Sequence, residues 1–537
     1  MLAVSGRGVL EPVGGKYPYV CLISIARPAP WHRRPAFPAH ASAYLYSNAA
    51  WINPCWGRSG RLTWGMRPVF LFALAATLAT AVHGQDRVLD RVATHAPALE
   101  VVSRKIWESP ELGFHEDRSS LLLQEELRAA GFSVKSAMAG MPTAFVAEFG
   151  SGKPVIALLG EFDALPGLSQ KDTSSRAPVQ HGAAGHGCGH NLLGSASALA
   201  AIAIKEEMQA AGTKGTLRYY GTPAEEGGGG KIYMIHAGLF QDVDAVLTWH
   251  PGSVNEVNLG SNLAVDSALF RFYGTPAHAA IAPFRGRSAL DGAMIMLNAV
   301  EMLREHVPQE ARIHYVITNG GSAPNVVPAF AEVSLMARHP QMDTLAGIWE
   351  RIVKCAQAGA LASETRIELA QQSARANVVP NDTLASVMGR AMQKAGGYTY
   401  SPDERKFAEE IRKTLDPPVD FQEPAEIRAD KSAPQGMASS DFGDVSWNVP
   451  SVEFTTATFP SGVSPHTWQA AACSGTSIGR KGMLVAARTL ALGAMELYTQ
   501  PALLQAARAD FDKRRHGLGW KTLIPADAKA PVNGPAK

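Results

Sequence analysis

Between residues 88 and 261 the chain alternates short apolar runs with longer amphipathic or alanine-rich segments. The short runs have the composition of strands and lie at residues 143–149, 154–159, 215–221 and 245–249. The longer segments have the periodicity or the bounding glycines of helices and lie at residues 88–106, 119–130 and 191–211. Strands that alternate with helices predict an α/β domain with a doubly wound, mainly parallel sheet.

The pattern changes near Ser261. Strands at 268–273, 313–318, 331–337 and 365–370 and helices at 287–306 and 342–358 then follow in the order β-α-β-β-α-β. That order is typical of a ferredoxin-like α+β unit. We therefore predict that residues 262–378 form a second domain, inserted between two parts of the catalytic domain at 85–261 and 379–525 and followed by a frayed tail at 526–537.

The first 84 residues have a different composition from the rest. Residues 1–65 are rich in tryptophan, proline and arginine and show no sustained period, which indicates a non-native or disordered extension. From Met66, a basic start, an apolar run over 69–82 and small residues before Gln85 have the anatomy of a signal peptide at residues 66–84. We expect a periplasmic or secreted protein, with a cytoplasmic one as the alternative. The run is shorter than the roughly 20 residues that span a bilayer, so we expect no stable membrane anchor.

Charge and cysteine content exclude two classes of protein. The 537 residues carry a formal net charge of +2, and the charges are well mixed, so nothing indicates binding to nucleic acid. Five cysteines are an odd, sparse set, which excludes a disulfide framework.

Candidate metal ligands follow the predicted strands. Residues 185–191 read G-H-G-C-G-H-N, a glycine-rich turn that lets Cys188 and His190 face one point. Thiolate and imidazole suit a borderline-soft divalent ion. Further candidates, each after an apolar run, are Glu225, Glu226, His250 and His466. Because parallel strands end at one crevice, this set predicts a two-metal hydrolytic site.

The adjacent pair Glu225 and Glu226 predicts a division of roles. Two adjacent residues cannot coordinate one metal in the same way. One carboxylate would therefore coordinate the metal, and the other would accept a proton from the activated water. Asp163, after the strand at 154–159, is a candidate to orient a ligand, and His186 either supports the site or ligates. The glycines before Lys231 do not form a phosphate loop, because Ile232 replaces the required Ser or Thr.

Three residues of the inserted domain are candidates for substrate contact: His278, Asn325 and Arg338. Imidazole, amide and guanidinium groups could hold an oxyanion and a substrate carboxylate, which arginine binds through two hydrogen bonds.

Seven motifs occur in order between about residues 90 and 525: E-F-D-A-L-P-G-L-S-Q, G-H-G-C-G-H-N-L-L-G, G-T-P-A-E-E-G-G-G-G-K, L-T-W-H-P, A-H-A with G-R-S-A-L-D, S-A-P-N-V-V-P and S-P-H-T-W-Q. In these motifs the chain resembles the dinuclear-metal amidohydrolase and exopeptidase family, which includes carboxypeptidase G, aminoacylases and auxin-conjugate hydrolases. The resemblance implies a catalytic α/β domain and an inserted lid that forms dimers. It also implies two divalent ions, Mn or Zn, held by Cys188, His190, Glu226, His250 and His466.

The resemblance further implies that Glu225 is the catalytic base. It implies that His278 reaches a partner's active site, and that Asn325 and Arg338 lie near the substrate. The chain departs from the wider family at Asn191, where aspartate is usual, and it lacks the usual H-x-D ligand motif. These departures leave the second metal site less well defined by sequence than the first.

The function expected from this resemblance is metal-dependent hydrolysis of N-acyl or N-aroyl amino acids, with p-aminobenzoyl-glutamate as one candidate substrate. Two alternatives remain open, namely a dipeptidase or aminoacylase on the same scaffold and a non-catalytic binding subunit of a heteromeric hydrolase. The expected partners are a second copy of the chain or a related subunit.

Overall fold

A computed structural model describes residues 69–417, 419–428 and 436–533, with side chains from residue 87 onward. The predicted extension at 1–65 lies outside the described residues, as do the side chains of the predicted signal peptide, so both stay predictions. Within the described ranges, none of the helices combines the length and the apolar character that a membrane crossing requires.

The first part of the chain builds most of an α/β domain. Its elements are α1 (Val69–Glu108), α2 (Asp117–Ala129), β1 (Ser133–Ser136), β2 (Phe145–Ser151), β3 (Val155–Gly160), α3 (His190–Ala211), β4 (Gly215–Gly221), α4 (Gly230–His236), β5 (Ala245–Gly252) and β6 (Glu256–Val257).

The middle part forms a separate four-stranded sheet with two helices. Its elements are β7 (Ala264–Tyr273), α5 (Ala289–Leu303), β8 (Arg312–Asn319), β9 (Phe330–His339), α6 (Met342–Ala362) and β10 (Arg366–Arg375). The strand order is β10-β7-β9-β8 and every pair is antiparallel. This is the order of elements that the sequence predicts for the ferredoxin-like unit.

The last part returns to the first sheet. Its elements are α7 (Asp382–Ala395), α8 (Pro402–Arg412), α9 (Phe442–Ser446), β11 (Ser451–Ala457), α10 (Trp468–Ser474), α11 (Ser477–Thr499) and α12 (Pro501–Arg514). Strand β11 joins a seven-stranded sheet of order β1-β2-β4-β3-β5-β11-β6. Its central strands β4, β3, β5 and β11 are parallel. The predicted fold class, a mainly parallel α/β sheet with an inserted α+β unit, is confirmed.

The continuous apolar run of β3 is explained by burial on both faces. Ile156 and Leu158 pack in the core beneath α1, α3 and α11, whereas Val155, Ala157 and Leu159 pack in a second core with α4 and α9. A strand covered by helices on both sides has no polar face, so its sequence does not alternate.

The structure corrects three details of the sequence-based expectations. Strand β5 continues to Gly252, so His250 lies within it rather than after it. Helices α4, α7, α9, α10 and α12 and strands β1 and β6 were not predicted. The tail is not frayed as far as residue 533, because Ala530 is buried against the core that contains Val155.

Candidate metal centre

The candidate ligands meet at the carboxyl edge of the parallel strands. Glu161 and Asp163 follow β3, while Glu225 and Glu226 follow β4. His250 lies near the end of β5, and His466 lies between β11 and α10. The glycine-rich turn that carries Cys188 leads into α3, whose first residue is His190. The fold therefore brings together residues that are up to 305 positions apart in the sequence (466 − 161).

Two groups of side chains have the spacing of a metal site. Cys188, His190 and His250 form one, and Cys188, Glu226 and His466 form the other, with ligand atoms within 4.8 Å of one another in each. The Cys188 Sγ lies 3.3 Å from His250 Nε2, and Glu226 Oε2 lies 3.1 Å from His466 Nε2. The thiol of Cys188 belongs to both groups.

Local backbone geometry explains how the turn places the thiol and the imidazole. Gly189 has φ +74°, and a Cβ built there would lie 2.9 Å from the Cβ of Pro251. Glycine is needed both for the left-handed conformation and for the close approach of β5. His466 also has a positive φ of 64°, and its N–H donates to the Gly187 carbonyl oxygen at 2.9 Å. A non-glycine residue in this region is uncommon and occurs often at functional sites.

Asp163 connects two of the candidate ligands. Its Oδ1 lies 2.9 Å from His190 Nδ1, and its Oδ2 accepts a hydrogen bond of 2.9 Å from the Glu226 backbone N–H. The first contact leaves Nε2 of His190 as the nitrogen that faces the group containing Cys188 and His250. A carboxylate behind a histidine ligand fixes the tautomer and the orientation of the ring.

The buried polar atoms of this cluster fit a pair of divalent cations. Glu226 Oε1 and His190 Nε2 are buried without a hydrogen-bond partner. His190 Nε2 is 3.2 Å from Glu161 Oε2, but the geometry is not that of a hydrogen bond. Buried polar atoms are almost always satisfied, and a thiolate, imidazoles and carboxylates are the ligands that Zn²⁺ takes.

Glu225 lies beside the metal ligands in a different electrostatic environment. Its side chain is 7% exposed. Burial alone would raise the pKa of Glu225, but Arg375 and Lys231 outweigh it and hold this pKa at about 2. The guanidinium group of Arg375 also donates to the Glu225 backbone carbonyl oxygen. Glu225 is therefore ionised at neutral pH and able to accept a proton.

A buried network of charged side chains lies next to the candidate ligands. It was not predicted from the sequence. Lys231 is fully buried, with its Nζ 2.8 Å from Glu161 Oε1 and 2.6 Å from Asp441 Oδ1. Glu161, His190 and Glu225 also have metal-site spacing, but the Lys231 ammonium already neutralises Glu161. No motif in the sequence indicates this network, because Glu161 and Asp441 lie far from Lys231 along the chain.

His186 and the three candidates of the inserted domain are not members of the groups that have metal-site spacing. His186 is buried, and its Nε2 donates to the Ile106 carbonyl oxygen at 3.2 Å. His278 and Asn325 are exposed neighbours, since Ala279 N–H donates to the Asn325 carbonyl oxygen and Nδ1 of His278 accepts from Ala280 and Ile281. Arg338 donates to Ser439 Oγ at 3.1 Å, and burial lowers its pKa. Their substrate-binding roles stay predictions.

The family model for peptidase family M20/M25/M40 matches residues 157–421. The chain is 40% identical over 451 residues to one subunit of the p-aminobenzoyl-glutamate hydrolase of Escherichia coli (strain K12), covering 79% of this chain and 94% of that protein. It is 30% identical over 441 residues to the Xaa-Arg dipeptidase of Mus musculus, covering 79% and 91%. A crystal structure of a dinuclear metal binding peptidase from Bacillus subtilis shares the fold, with TM-score 0.52, 19% identity and coverage of 76% and 99%.

Proposed function

Because the chain belongs to peptidase family M20/M25/M40, we propose that it hydrolyses the amide bond of an N-acyl or N-aroyl amino acid, with p-aminobenzoyl-glutamate as the first candidate substrate. The observation that carries this proposal is the convergence of Cys188, His190, Glu226, His250 and His466 beside an ionised Glu225. The name of the Escherichia coli relative supports the choice of substrate.

The proposed cofactors are two divalent cations, Mn²⁺ or Zn²⁺. Cys188, His190, Glu226, His250 and His466 would hold them, with Asp163 orienting His190. When bound there, two divalent cations would polarise the amide carbonyl and lower the pKa of water. Metal analysis of the purified protein, before and after dialysis against a chelator, identifies the native ion, and fewer than two equivalents would contradict the dinuclear assignment.

The proposed proton transfers belong to Glu225. Its carboxylate takes a proton from the attacking water and delivers it to the leaving nitrogen, so that the C–N bond breaks to give a carboxylic acid and an amine. Arg375 and Lys231 keep the carboxylate ionised before the reaction. His278 would stabilise the oxyanion from a partner protomer, and Asn325 and Arg338 would bind the substrate carboxylate.

The test is a substrate panel on the purified chain alone. We expect Mn²⁺- or Zn²⁺-loaded protein to release p-aminobenzoate from p-aminobenzoyl-glutamate, and a chelator to abolish the release. A rate for Xaa-Arg dipeptides that exceeds the rate for every N-aroyl amino acid would favour the second candidate, a dipeptidase, which the 30% identity to the mouse enzyme supports.

A binding role without catalysis is the remaining alternative, because the Escherichia coli relative is named as one subunit of a hydrolase. Under that alternative, the metal-loaded chain would bind p-aminobenzoyl-glutamate but would not hydrolyse it alone. Activity of the isolated chain excludes this role.

We also propose that the chain forms a dimer with itself or with a related subunit. Strand β8 lies at the edge of the four-stranded sheet, and its side chains Tyr315, Val316 and Ile317 are exposed. An exposed apolar edge strand is suited to pairing with another chain. Sedimentation of the purified chain as a monomer, with full activity, would contradict the proposal.

We propose that the protein is exported to the periplasm or secreted from the cell. The basic start at Met66, the apolar run and the small residues before Gln85 support it. Amino-terminal sequencing of the mature protein is the test, since a first residue before Met66 would contradict the proposed start and Met66 itself would indicate a retained leader.

A further inference from the structure

A second cavity lies beside the four-stranded sheet. Its volume is about 530 Å³, and it is lined by strands β7 and β10, the start of α6, His236 at the end of α4 and the segment 520–526. Its apolar lining includes Met342, Leu345 and Ala374 from the inserted unit and Trp520, Ile524 and Pro525 from the C-terminal segment. A cavity of this size and composition is typical of small-molecule sites.

Among the residues that line this cavity, Asp266 supplies the one carboxylate. Asp266 is 6% exposed, and among the described residues no side chain or backbone group donates a hydrogen bond to it. Side chains alternate along a strand, and the even-numbered neighbours Ala264, Ala268 and Phe270 pack in the core beneath α5 and α6. Asp266 therefore points to the helix side of the sheet, where the cavity lies.

The cavity and the catalytic residues share one residue of β10. Ala374 pairs with Asp266 in the sheet and lines the cavity, and the next residue, Arg375, also lines it while its guanidinium group contacts the Glu225 carbonyl oxygen. The two sites are thus joined through Arg375.

The lysine, arginine and histidine side chains that line the cavity already have other partners. Lys521 pairs with Asp343 at 2.8 Å, and Arg375 contacts Glu225. His236 Nε2 lies 3.1 Å from the Ile524 carbonyl oxygen. A buried carboxylate without a partner is costly, and a single carboxylate is too few ligands for a divalent metal ion.

We propose that this cavity binds a small molecule with an apolar body and a protonated amine, whose ammonium group pairs with Asp266. Burial raises the pKa of Asp266 to about 7, which is the behaviour of a carboxyl group that lacks a cationic partner. An acidic ligand is disfavoured, so the occupant differs in charge from an N-aroyl glutamate. The proposal does not depend on which amide the chain hydrolyses.

Calorimetric titration of the full chain with three probes that share a phenylethyl group tests the charge requirement. At about pH 8, above the pKa of Asp266, we expect 2-phenylethylamine to bind at least about tenfold more tightly than 2-phenylethanol, and 3-phenylpropanoate to bind more weakly than both. Equal affinities for the amine and the alcohol, or tighter binding of the acid, overturn the proposal.

Two variants test the location. Asp266→Asn should reduce the affinity for the amine to that for the alcohol, and Ala346→Phe should fill the cavity and abolish binding of both while Asp266 is retained. The matched control is Asp291→Asn, which removes an exposed carboxylate from the same sheet-and-helix unit and should leave the affinities unchanged. If both cavity variants bind the amine as the wild type does, the amine binds elsewhere and the proposal is wrong.

Discussion

At the residue scale, Glu225 and Glu226 are adjacent but have different neighbours. Glu226 faces Cys188 and His466, whereas Glu225 is influenced chiefly by Arg375 and Lys231. We expect Glu225→Gln to keep its metal content and lose about 10²–10⁴-fold in kcat, the usual scale of general acid-base catalysis. Glu226→Gln is the matched control and should lose metal. Metal analysis and steady-state kinetics on both variants give the answer, and unchanged turnover of Glu225→Gln would contradict its role as the base.

A second prediction at the scale of one residue concerns Asp266, whose ionisation should make the stability of the protein depend on pH. The pKa of Asp266 is raised from 3.8 to about 7 in the folded state, so between these values the folded protein retains a proton that the unfolded chain has released. Its contribution to stability therefore falls as the pH rises from about 4 to about 7 and is constant above that. His236, Lys521 and Arg375 line the same cavity and are unchanged by the substitution.

Asp266→Asn cannot ionise, so we expect its Tm to match the wild-type Tm near pH 4 and to exceed it increasingly up to about pH 7. Thermal unfolding of both proteins across this range measures the difference. A difference that is independent of pH would show that the carboxyl group does not titrate as described.

The residues that sequence reasoning missed are those whose roles come from distant partners. Cys188 and His190 could be predicted because a glycine-rich turn places them together locally. Lys231 could not, because its partners Glu161 and Asp441 lie 70 and 210 positions away (231 − 161 and 441 − 231). Only the folded sheet shows that this lysine pairs with two buried carboxylates.

At the scale of elements, sequence patterns predicted strands best where burial is complete. The bounds of β4 were predicted to the residue, because Gly215 and Gly221 limit an apolar run. Strand β5 extends three residues further than predicted, because its end contains His250, Pro251 and Gly252, which do not resemble a strand. These residues are extended because β11 pairs with them, a contact that local sequence does not encode.

The glycine-rich turn before α3 gives the element-scale prediction. Gly189→Ala places a Cβ in the left-handed region and 2.9 Å from Pro251, next to His250. We expect it to cost about 1–3 kcal/mol of unfolding free energy and to weaken metal binding, because the turn and β5 must separate.

The control for this prediction is Gly347→Ala in α6. No atom lies within 4 Å of a Cβ built at Gly347, so the substitution should stabilise the helix by about 0.5–1 kcal/mol. Urea unfolding and metal analysis compare the two variants. Equal stability and metal content in Gly189→Ala and Gly347→Ala would show that the turn tolerates a side chain.

At the scale of the whole molecule, the sequence predicted the order of strands and helices but not the contacts between distant segments. The order of strands and helices indicated both sheets. It did not indicate that Trp520 would pack against the core of the inserted unit while its Nε1 donates to Asp444 Oδ1 at 2.7 Å. Such contacts join segments that carry no periodic signal of their own.

The amino-terminal boundary gives a prediction for the whole chain. The first described side chain in the core is Val88, which lies after the proposed cleavage site at residues 84–85. Arg87 and Arg91 both pair with the carboxylate of Glu207, whose side chain is only 1% exposed. A chain that begins at Gln85 retains all of these contacts, so we expect its Tm and its activity to equal those of the full chain.

A chain that begins at Glu100 is the contrasting variant, because it removes only fifteen further residues (100 − 85). It loses the buried side chains of Val88, Val92 and Leu99, each worth about 1.5–3 kcal/mol, and it removes both arginine partners of Glu207. The combined loss is comparable with the roughly 5–15 kcal/mol by which a typical domain is stable. We therefore expect this chain to be unfolded or insoluble, as measured by circular dichroism and yield. A stable, active protein from Glu100 would show that the first part of α1 is dispensable to the fold.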